Sequence, residues 1–384
     1  MVGGGKAAMR SSDKPTMAVI RGVRTSEALF YDRFENIKVK FIYLTPKPRD
    51  YPFKAQKLDF VNLQLIPRYI VDPVKMFGGS YTHRSWAKIA GLEDQLNTVD
   101  IINISDSLYA WSGDAANIAK KYNKKLVTVV WETIPNHPAV YIPPYSFNVK
   151  SVIANTDLFI LRSQTARKFL HRFNINKSKV KVIYKGVDTS LFYPATEKVG
   201  KNVKILYVGQ LTSSKGVEDL LEVFSDLVEG IGCMELIIAG SGPLSDKITK
   251  LAQKYPISYR GFVDYRALPK LYREADIFCS PSKYISFLGL KIWEEFFSYT
   301  LMEAMASGLP IIATYSGGIP EELGENNLLV DPGDKIQLSA ALSKLVTDGK
   351  LRRKLGSLNR KRAEKFFDLA KQSRQTEEAI LSLL

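Results

Sequence analysis

Short apolar runs bounded by glycine, proline and polar turns alternate along this chain with segments of helical period. In the second half, residues 203–208 (V-K-I-L-Y-V) read as a buried strand, followed by a glycine turn and a helical pattern over 217–227. Residues 235–239, 275–282 and 311–313 repeat the apolar run. Residues 299–306 have helical spacing, with Gly308 and Pro310 as the stop. In the first half, 17–20, 39–44, 58–66, 99–104, 126–130 and 180–184 predict strands. Strand runs alternating with helical patterns predict an α/β fold with parallel sheets, not a sandwich or barrel. A chain of 384 residues suits two domains. The polar loop at 194–202 predicts their boundary, and 370–384 reads as a final helix.

Chemistry-bearing residues gather at the predicted strand ends of the second half. The turn after 203–208 reads Gly209-Gln210-Leu211-Thr212-Ser213-Ser214-Lys215-Gly216. A strand, a glycine turn, a lysine and a helix start together make an anion cradle. The spacing excludes a Walker loop. Ser245, in place of a third glycine after Gly240-Ser241-Gly242-Pro243, excludes a nicotinamide or flavin fingerprint. Glu295 and Glu303 bracket the start of the helix at 299–306, where backbone N–H groups and the dipole favour a bound anion. Glutamates there also suit the dipole with no ligand at all, and the pair alone does not choose between these readings. Gly317-Gly318-Ile319-Pro320-Glu321 is a further glycine turn at a strand-to-helix junction.

In this order, the segments resemble the family-4 retaining glycosyltransferases of the GT-B fold. The resemblance rests on Glu295-x7-Glu303 followed by Ala304-Met305-Ala306-Ser307-Gly308-Leu309-Pro310, and on the G-x-L-x-x-x-K-G turn. Gly240-x-Gly242-Pro243, Gly317-Gly318-x-Pro320-Glu321 and the segment V-I-Y-K-G-V-D-T at 182–189 add to it. It is strong over 152–367 and weak in the N-terminal third. It implies two Rossmann-like parallel-sheet domains facing across a cleft. Residues 1–195 would bind the acceptor and 196–369 the nucleotide-sugar donor, with the helix at 370–384 packing back on the first domain. It further implies that Glu303 accepts hydrogen bonds from the nucleotide ribose and that Glu295 contacts donor-sugar hydroxyls beside the reacting carbon. Lys215 would neutralise the leaving diphosphate, and backbone N–H groups around Phe297 and Ser298 would cradle phosphate. Gly209, Gln210, Gly240, Gly242, Pro243 and Val263 complete the implied donor site. The expected reaction moves a sugar from a nucleotide-sugar to a glycan or lipid-linked acceptor and keeps the anomeric configuration. No D-x-D pair or Cys–His cluster occurs, so no metal and no cofactor beyond the donor are expected.

Three departures in the second half, and one in the first, qualify the resemblance. Most relatives carry arginine where this chain has Gln210, so phosphate loses one charge-assisted fork. Ser298 stands where glycine usually follows the Glu-x-Phe turn. Residues 283–294 are additional to the pattern and carry Phe287, Lys291 and Trp293; Lys291 is one candidate for the missing cation, or else an exposed loop lysine. Relatives often place a histidine at the end of the strand at 126–130, where this chain has Trp131 and Glu132, with His137 several residues on. Strand-end loops in open α/β sheets are where ligands sit, so Glu132 and His137 are candidates for catalysis. A structural hydrogen bond is the other reading of His137. Arg21 and Arg24, after the first strand, meet acceptor phosphate or are surface charges. Two other functions stay open: a nucleotide-sugar epimerase of the same fold, and a non-catalytic basic binding module with a decayed site. Retention of Lys215, Glu295 and Glu303 together argues against decay.

Charge bears on the acceptor. Residues 1–195 hold 29 Lys+Arg against 15 Asp+Glu, and 196–384 hold 25 against 24, so +14 of the +15 net charge lies in the first half. A basic domain attracts acidic membrane lipid, lipid-linked phosphate or nucleic acid, of which nucleic acid is the least expected. A solvated basic surface is the alternative. Aromatics interleave with cations at 43–54 and 69–86, as at a membrane interface. No apolar run approaches the roughly 18 residues of a spanning helix. Lys6, Arg10 and Lys14 interrupt any leader. The expected place is cytoplasmic, peripheral at the inner membrane face. Cys233 and Cys279 both read as small core residues.

Overall fold

Parallel strands covered on both faces need apolar residues at every position, not at alternate ones. The chain supplies them: Ile277–Ser280 and Ile311–Thr314 are buried throughout. In the computed structural model the described residues are 14–22, 24–45, 55–67, 87–143, 145–196, 201–325 and 327–384. The aromatic–basic runs at 46–54 and 69–86, and Lys6 and Arg10, lie outside them. Met1–Arg162, Phe169–Ile183 and Ala370–Leu384 form one compact unit; Ser163–Lys168 and Tyr184–Leu369 form a second.

Among the described residues the first unit holds β1 (Thr16–Arg21), β2 (Lys38–Thr45), β3 (Leu58–Pro67), β4 (Ala87–Ile89), β5 (Ile101–Ser105), β6 (Lys125–Val130), β7 (Leu158–Leu161) and β8 (Val180–Val182). They form one sheet in the order β4-β3-β2-β1-β5-β6-β7-β8. Every pair is parallel except β3–β4. The last strand ends two residues earlier than 180–184 predicts.

The helix Leu369–Leu381 starts at the end of the second unit and completes the first. Ser373 Oγ donates to the Phe30 carbonyl at 2.8 Å. Glu377 Oε1 accepts the N–H groups of Asn36 and Ile37 at 2.5 and 3.1 Å. A buried carboxylate thus ties this helix to the turn before β2, and its burial pushes the Glu377 pKa up.

The second unit contains β9 (Val203–Val208), β10 (Met234–Ala239), β11 (Ile257–Tyr259), β12 (Ile277–Ser280), β15 (Ile311–Thr314) and β16 (Leu328–Val330), all parallel, in the order β11-β10-β9-β12-β15-β16. Helix Val217–Ile231 lays Leu220, Leu221 and Phe224 on this sheet, against Ile205, Leu236 and Ile238. Its first turn carries Glu218 and Asp219, which suit the dipole, and Gly232 (φ +64°) ends it. The strand order runs outward from β9 in both directions, so the chain reverses between β9 and β12. In open α/β sheets ligands bind outside the carboxyl ends of the strands at such a reversal. The stretch at 283–294 is an antiparallel hairpin of β13 (Ile285–Phe287) and β14 (Leu290–Trp293). It turns through Leu288 (φ +48°) and Gly289 (φ +75°). Cys279 is buried in β12 as expected, but Cys233 is exposed, at φ +35° in the turn that leads into β10.

Replacing Glu377 by alanine leaves two N–H groups without their acceptor and should cost about 1–3 kcal/mol. Thermal unfolding of Glu377→Ala is expected at a lower temperature than wild type; an unchanged transition would show that the carboxylate contributes nothing to holding the helix.

Candidate functional site

Backbone contacts join the loops at the carboxyl edge of the second unit's sheet. The loop after β9 lies along the loop after β10: Gly209 N–H donates to Ala239 O and Leu211 N–H to Ser241 O, both at 3.0 Å. At Gly216 (φ +68°) an added Cβ would lie 1.8 Å from the Pro281 carbonyl, beyond β12. At Gly318 it would lie 1.8 Å from the Phe296 carbonyl, and Gly318 N–H donates to Glu295 O at 2.9 Å. The glycines of these motifs therefore serve close packing of four strand-end loops.

That packing brings Lys215 and Glu295 together across 80 residues of chain, with Nζ 2.5 Å from Oε2. Ser282 Oγ donates to the same Oε2 at 3.2 Å, and Glu295 N–H donates to Ser316 Oγ at 3.2 Å. The Lys215 ammonium lies 4.6 Å from the centroid of the Trp293 ring. Both charged side chains keep partial access to solvent, 21% for Lys215 and 13% for Glu295. A cation and a carboxylate at a sheet's switch point can hold an anion and a hydroxyl-bearing group side by side.

Glu303 sits on the helix Tyr299–Ala306, whose bounds match the sequence reading. It is buried, and Tyr272 donates its hydroxyl to Oε2 at 2.8 Å. Burial pushes its pKa up to about 8, against the lowering effect of that hydrogen bond.

The N-terminus of this helix differs from expectation. Ser298 N–H, expected to cradle phosphate, donates to Glu322 Oε2 at 2.8 Å, so an internal carboxylate already occupies that amide. Ser298 adopts an extended conformation (φ −103°) that places no demand for glycine. The Phe297 ring is core, stacked on Tyr184 and edge-on to Phe367. Glu321 binds Gln164 and Thr165 N–H at 2.6 and 2.8 Å and the Tyr184 hydroxyl at 3.0 Å, which makes it a clamp on the 163–168 segment. The Lys291 ammonium pairs with Glu294 at 2.7 Å and lies 5.0 Å from the centroid of the Tyr284 ring. Gln210 is exposed, and its carbonyl accepts the Tyr207 hydroxyl at 2.7 Å. Pro243 is exposed and Val263 half-buried in loops beside this edge.

In the first unit the end of β6 carries a second polar cluster. Asp106, at φ +51° after β5, accepts Trp131 and Glu132 N–H at 2.8 and 3.2 Å. Glu132 turns its Oε1 back to Thr133 and Ile134 N–H at 2.9 and 2.8 Å. His137 Nδ1 accepts Ala139 N–H at 3.2 Å, which leaves Nε2 to carry the proton of the neutral ring, 4.0 Å from Glu132 Oε2. Arg21 does not fit the expected role at acceptor phosphate. It is 6% exposed, and its guanidinium donates to Ile20 O, the Tyr31 hydroxyl and Asn103 Oδ1 at 2.6–2.8 Å, with Glu27 Oε2 at 3.5 Å. A fork filled by interior acceptors has little left for a ligand. Arg24 is exposed ahead of the helix Thr25–Tyr31. Asp106, Ser282 and Tyr272 were missed in the sequence, and Trp293 was read only as part of the additional stretch at 283–294. A strand-end aspartate is a readable signal for the first; the others are set by distant partners. Among the described residues no three of His, Cys, Asp and Glu converge as metal ligands.

Burial lifts the Asp106 pKa from 3.8 to about 6, outweighing its two backbone hydrogen bonds. A carboxyl with a raised folded pKa costs nothing below its unfolded value, and the penalty grows until the pH passes the folded value. Asp106→Asn keeps the acceptor oxygen and removes the charge. Its stability relative to wild type should rise between pH 4 and 6, by at most about 3 kcal/mol. Urea unfolding of both proteins across that range checks this, and a pH-independent difference would contradict it.

Comparison with known proteins places these features. Residues 191–362 match the family model described as glycosyl transferases group 1, and residues 32–191 match glycosyltransferase family 4. The MMP alpha-(1->4)-mannosyltransferase of Mycolicibacterium hassiacum is 30% identical over 57% of this chain and 52% of its own. The 2-deoxystreptamine N-acetyl-D-glucosaminyltransferase of Niallia circulans is 25% identical over 75% of this chain and 80% of its own. The chain spans about half the length of most relatives that it matches by sequence. In structure it is similar to sucrose-phosphate synthase from Thermosynechococcus elongatus, with a TM-score of 0.73 and 18% identity over 96% of this chain and 99% of that one. Anabaena HepE in complex with UDP gives 0.72 and 18% over 96% and 100%. The two family models together run from residue 32 to residue 362, and this two-domain α/β chain belongs to the family-4, group 1 glycosyltransferases of the GT-B fold.

Proposed function

We propose that this chain transfers a sugar from a nucleoside diphosphate sugar to an acceptor hydroxyl with retention of configuration. The observation that carries the reading is the Lys215–Glu295 pair at the β9–β12 switch point, with Glu303 one helix further on. HepE has been seen with UDP and with UDP-glucose, which supports a nucleotide-sugar donor here. In this reading the arriving diphosphate takes Lys215 from Glu295, and the released carboxylate accepts hydrogen bonds from the donor sugar. Glu303 accepts those of the ribose. Breaking the sugar–phosphate bond leaves negative charge on the diphosphate, where Lys215 stabilises it. The acceptor oxygen bonds to the reacting carbon from the face that the phosphate leaves, and its proton passes to the leaving phosphate oxygen. Lys215 supplies positive charge that other enzymes draw from a metal, so the reaction is proposed to need none.

The acceptor is proposed to be an anionic or lipid-linked glycan at a membrane surface. The +14 charge of residues 1–195 supports this. No helix among the described residues is long and apolar enough to cross a membrane, so attachment would be peripheral. Sedimentation with vesicles should depend on their anionic lipid; equal recovery with neutral vesicles would remove this part of the reading.

Turnover of a donor such as UDP-glucose, supplied with acceptor, tests the reaction. Lys215→Ala and Glu295→Ala are each expected to lower kcat by about 10²–10³-fold with the fold intact. Glu303→Ala should lose nucleotide binding. Near wild-type turnover in either of the first two would sink the assignment, and product formed without acceptor would turn it into epimerisation.

A further inference from the structure

The hairpin β13–β14 is additional to the family pattern, and the structure folds it onto the cation of the donor site. Its root is tied to both elements that carry the Lys215–Glu295 pair. Lys283 N–H donates to Ser214 O at 2.8 Å, beside Lys215. Lys283 Nζ reaches Asp219 at 2.8 Å, in the first turn of the helix that follows the loop. Ser282 Oγ donates to Glu295. At the other end, the Lys291–Glu294 pair spans the residues on either side of Trp293. The indole is thereby held at one side of the Lys215 ammonium, 4.6 Å away, with Glu295 Oε2 at another, 2.5 Å away.

This arrangement answers a difficulty created by Gln210. With no arginine in the 209–216 loop, Lys215 is its only cation. A lysine is a point charge on a flexible four-carbon stem, and the rotamer freedom it gives up on meeting phosphate weakens binding. An indole face attracts the ammonium electrostatically and restricts the stem before any ligand arrives. We propose that Trp293 is a positioning residue for Lys215, holding the ammonium ready for the donor diphosphate as Glu295 releases it. The inference rests on the donor-site reading above.

The test is a double-mutant cycle read by calorimetry. UDP, GDP and ADP are titrated into wild type, and whichever binds is then titrated into Trp293→Ala, Lys215→Ala and the double variant. Trp293→Ala should weaken nucleoside diphosphate binding about two- to thirtyfold and leave binding of the corresponding nucleoside unchanged. Trp293→Phe, which keeps an aromatic face and the hairpin's packing, should recover part of the loss. In the Lys215→Ala background the tryptophan substitution should cost nothing further. An equal loss in that background, or an equal loss for the nucleoside, would overturn the role of Trp293 while leaving the donor site standing. Wild type that binds none of the three diphosphates would overturn the donor-site reading and this inference with it.

Discussion

Contact of bare backbone with bare backbone at the carboxyl edge of the second sheet is the constraint on which the site depends. Strand order decides where loops can converge, and at the β9–β12 reversal neither loop is covered by a crossover helix. How closely they approach is then a steric matter. Gly216 lies against the Pro281 carbonyl and Gly318 against that of Phe296. A side chain at either place would drive the loops apart by more than a hydrogen bond tolerates. Those approaches set the spacing at which Lys215 meets Glu295, 2.5 Å apart.

Carboxylates share out the remaining tasks. Glu321 and Glu322 are neighbours in sequence and face different partners. The first binds two amides and two hydroxyls around 164–184; the second takes Ser298 N–H at the start of the helix that carries Glu303. Burial raises the pKa of Glu322 and Glu303 alike, so each is held with less negative charge than its residue type suggests. The Gly-Gly-x-Pro-Glu turn therefore leads into a pair of carboxylates that fix neighbouring backbone, one of them at the start of the helix that carries Glu303.

What was legible in the sequence follows the range of each interaction. Continuous apolar runs announced the parallel strands because burial on both faces leaves no polar alternation, and Gly308 and Pro310 marked the end of the Tyr299–Ala306 helix. Lys215, Glu295 and Glu303 stood out through their spacing. Partners were illegible where they come from afar: Tyr272 meets Glu303 across 31 residues, and Glu322 meets Ser298 across 24. Arg21 looked like a site cation because it ends β1, and only the fold shows its fork turned toward Asn103 and Tyr31. The stretch at 283–294 was read only as additional to the pattern, and the hairpin in it turns through Leu288-Gly289. A leucine at positive φ gives none of the Asn-Gly or Asp-Gly signal by which such turns are recognised.

The helix Leu369–Leu381 belongs to the first unit although nearly the whole second unit precedes it in the chain. Synthesis runs from the N-terminus, so the turn at Asn36 and Ile37 waits 341 and 340 residues for the Glu377 carboxylate. The second unit has all of its described strands 47 residues before Glu377, once β16 ends at Val330. The part made first is the part finished last.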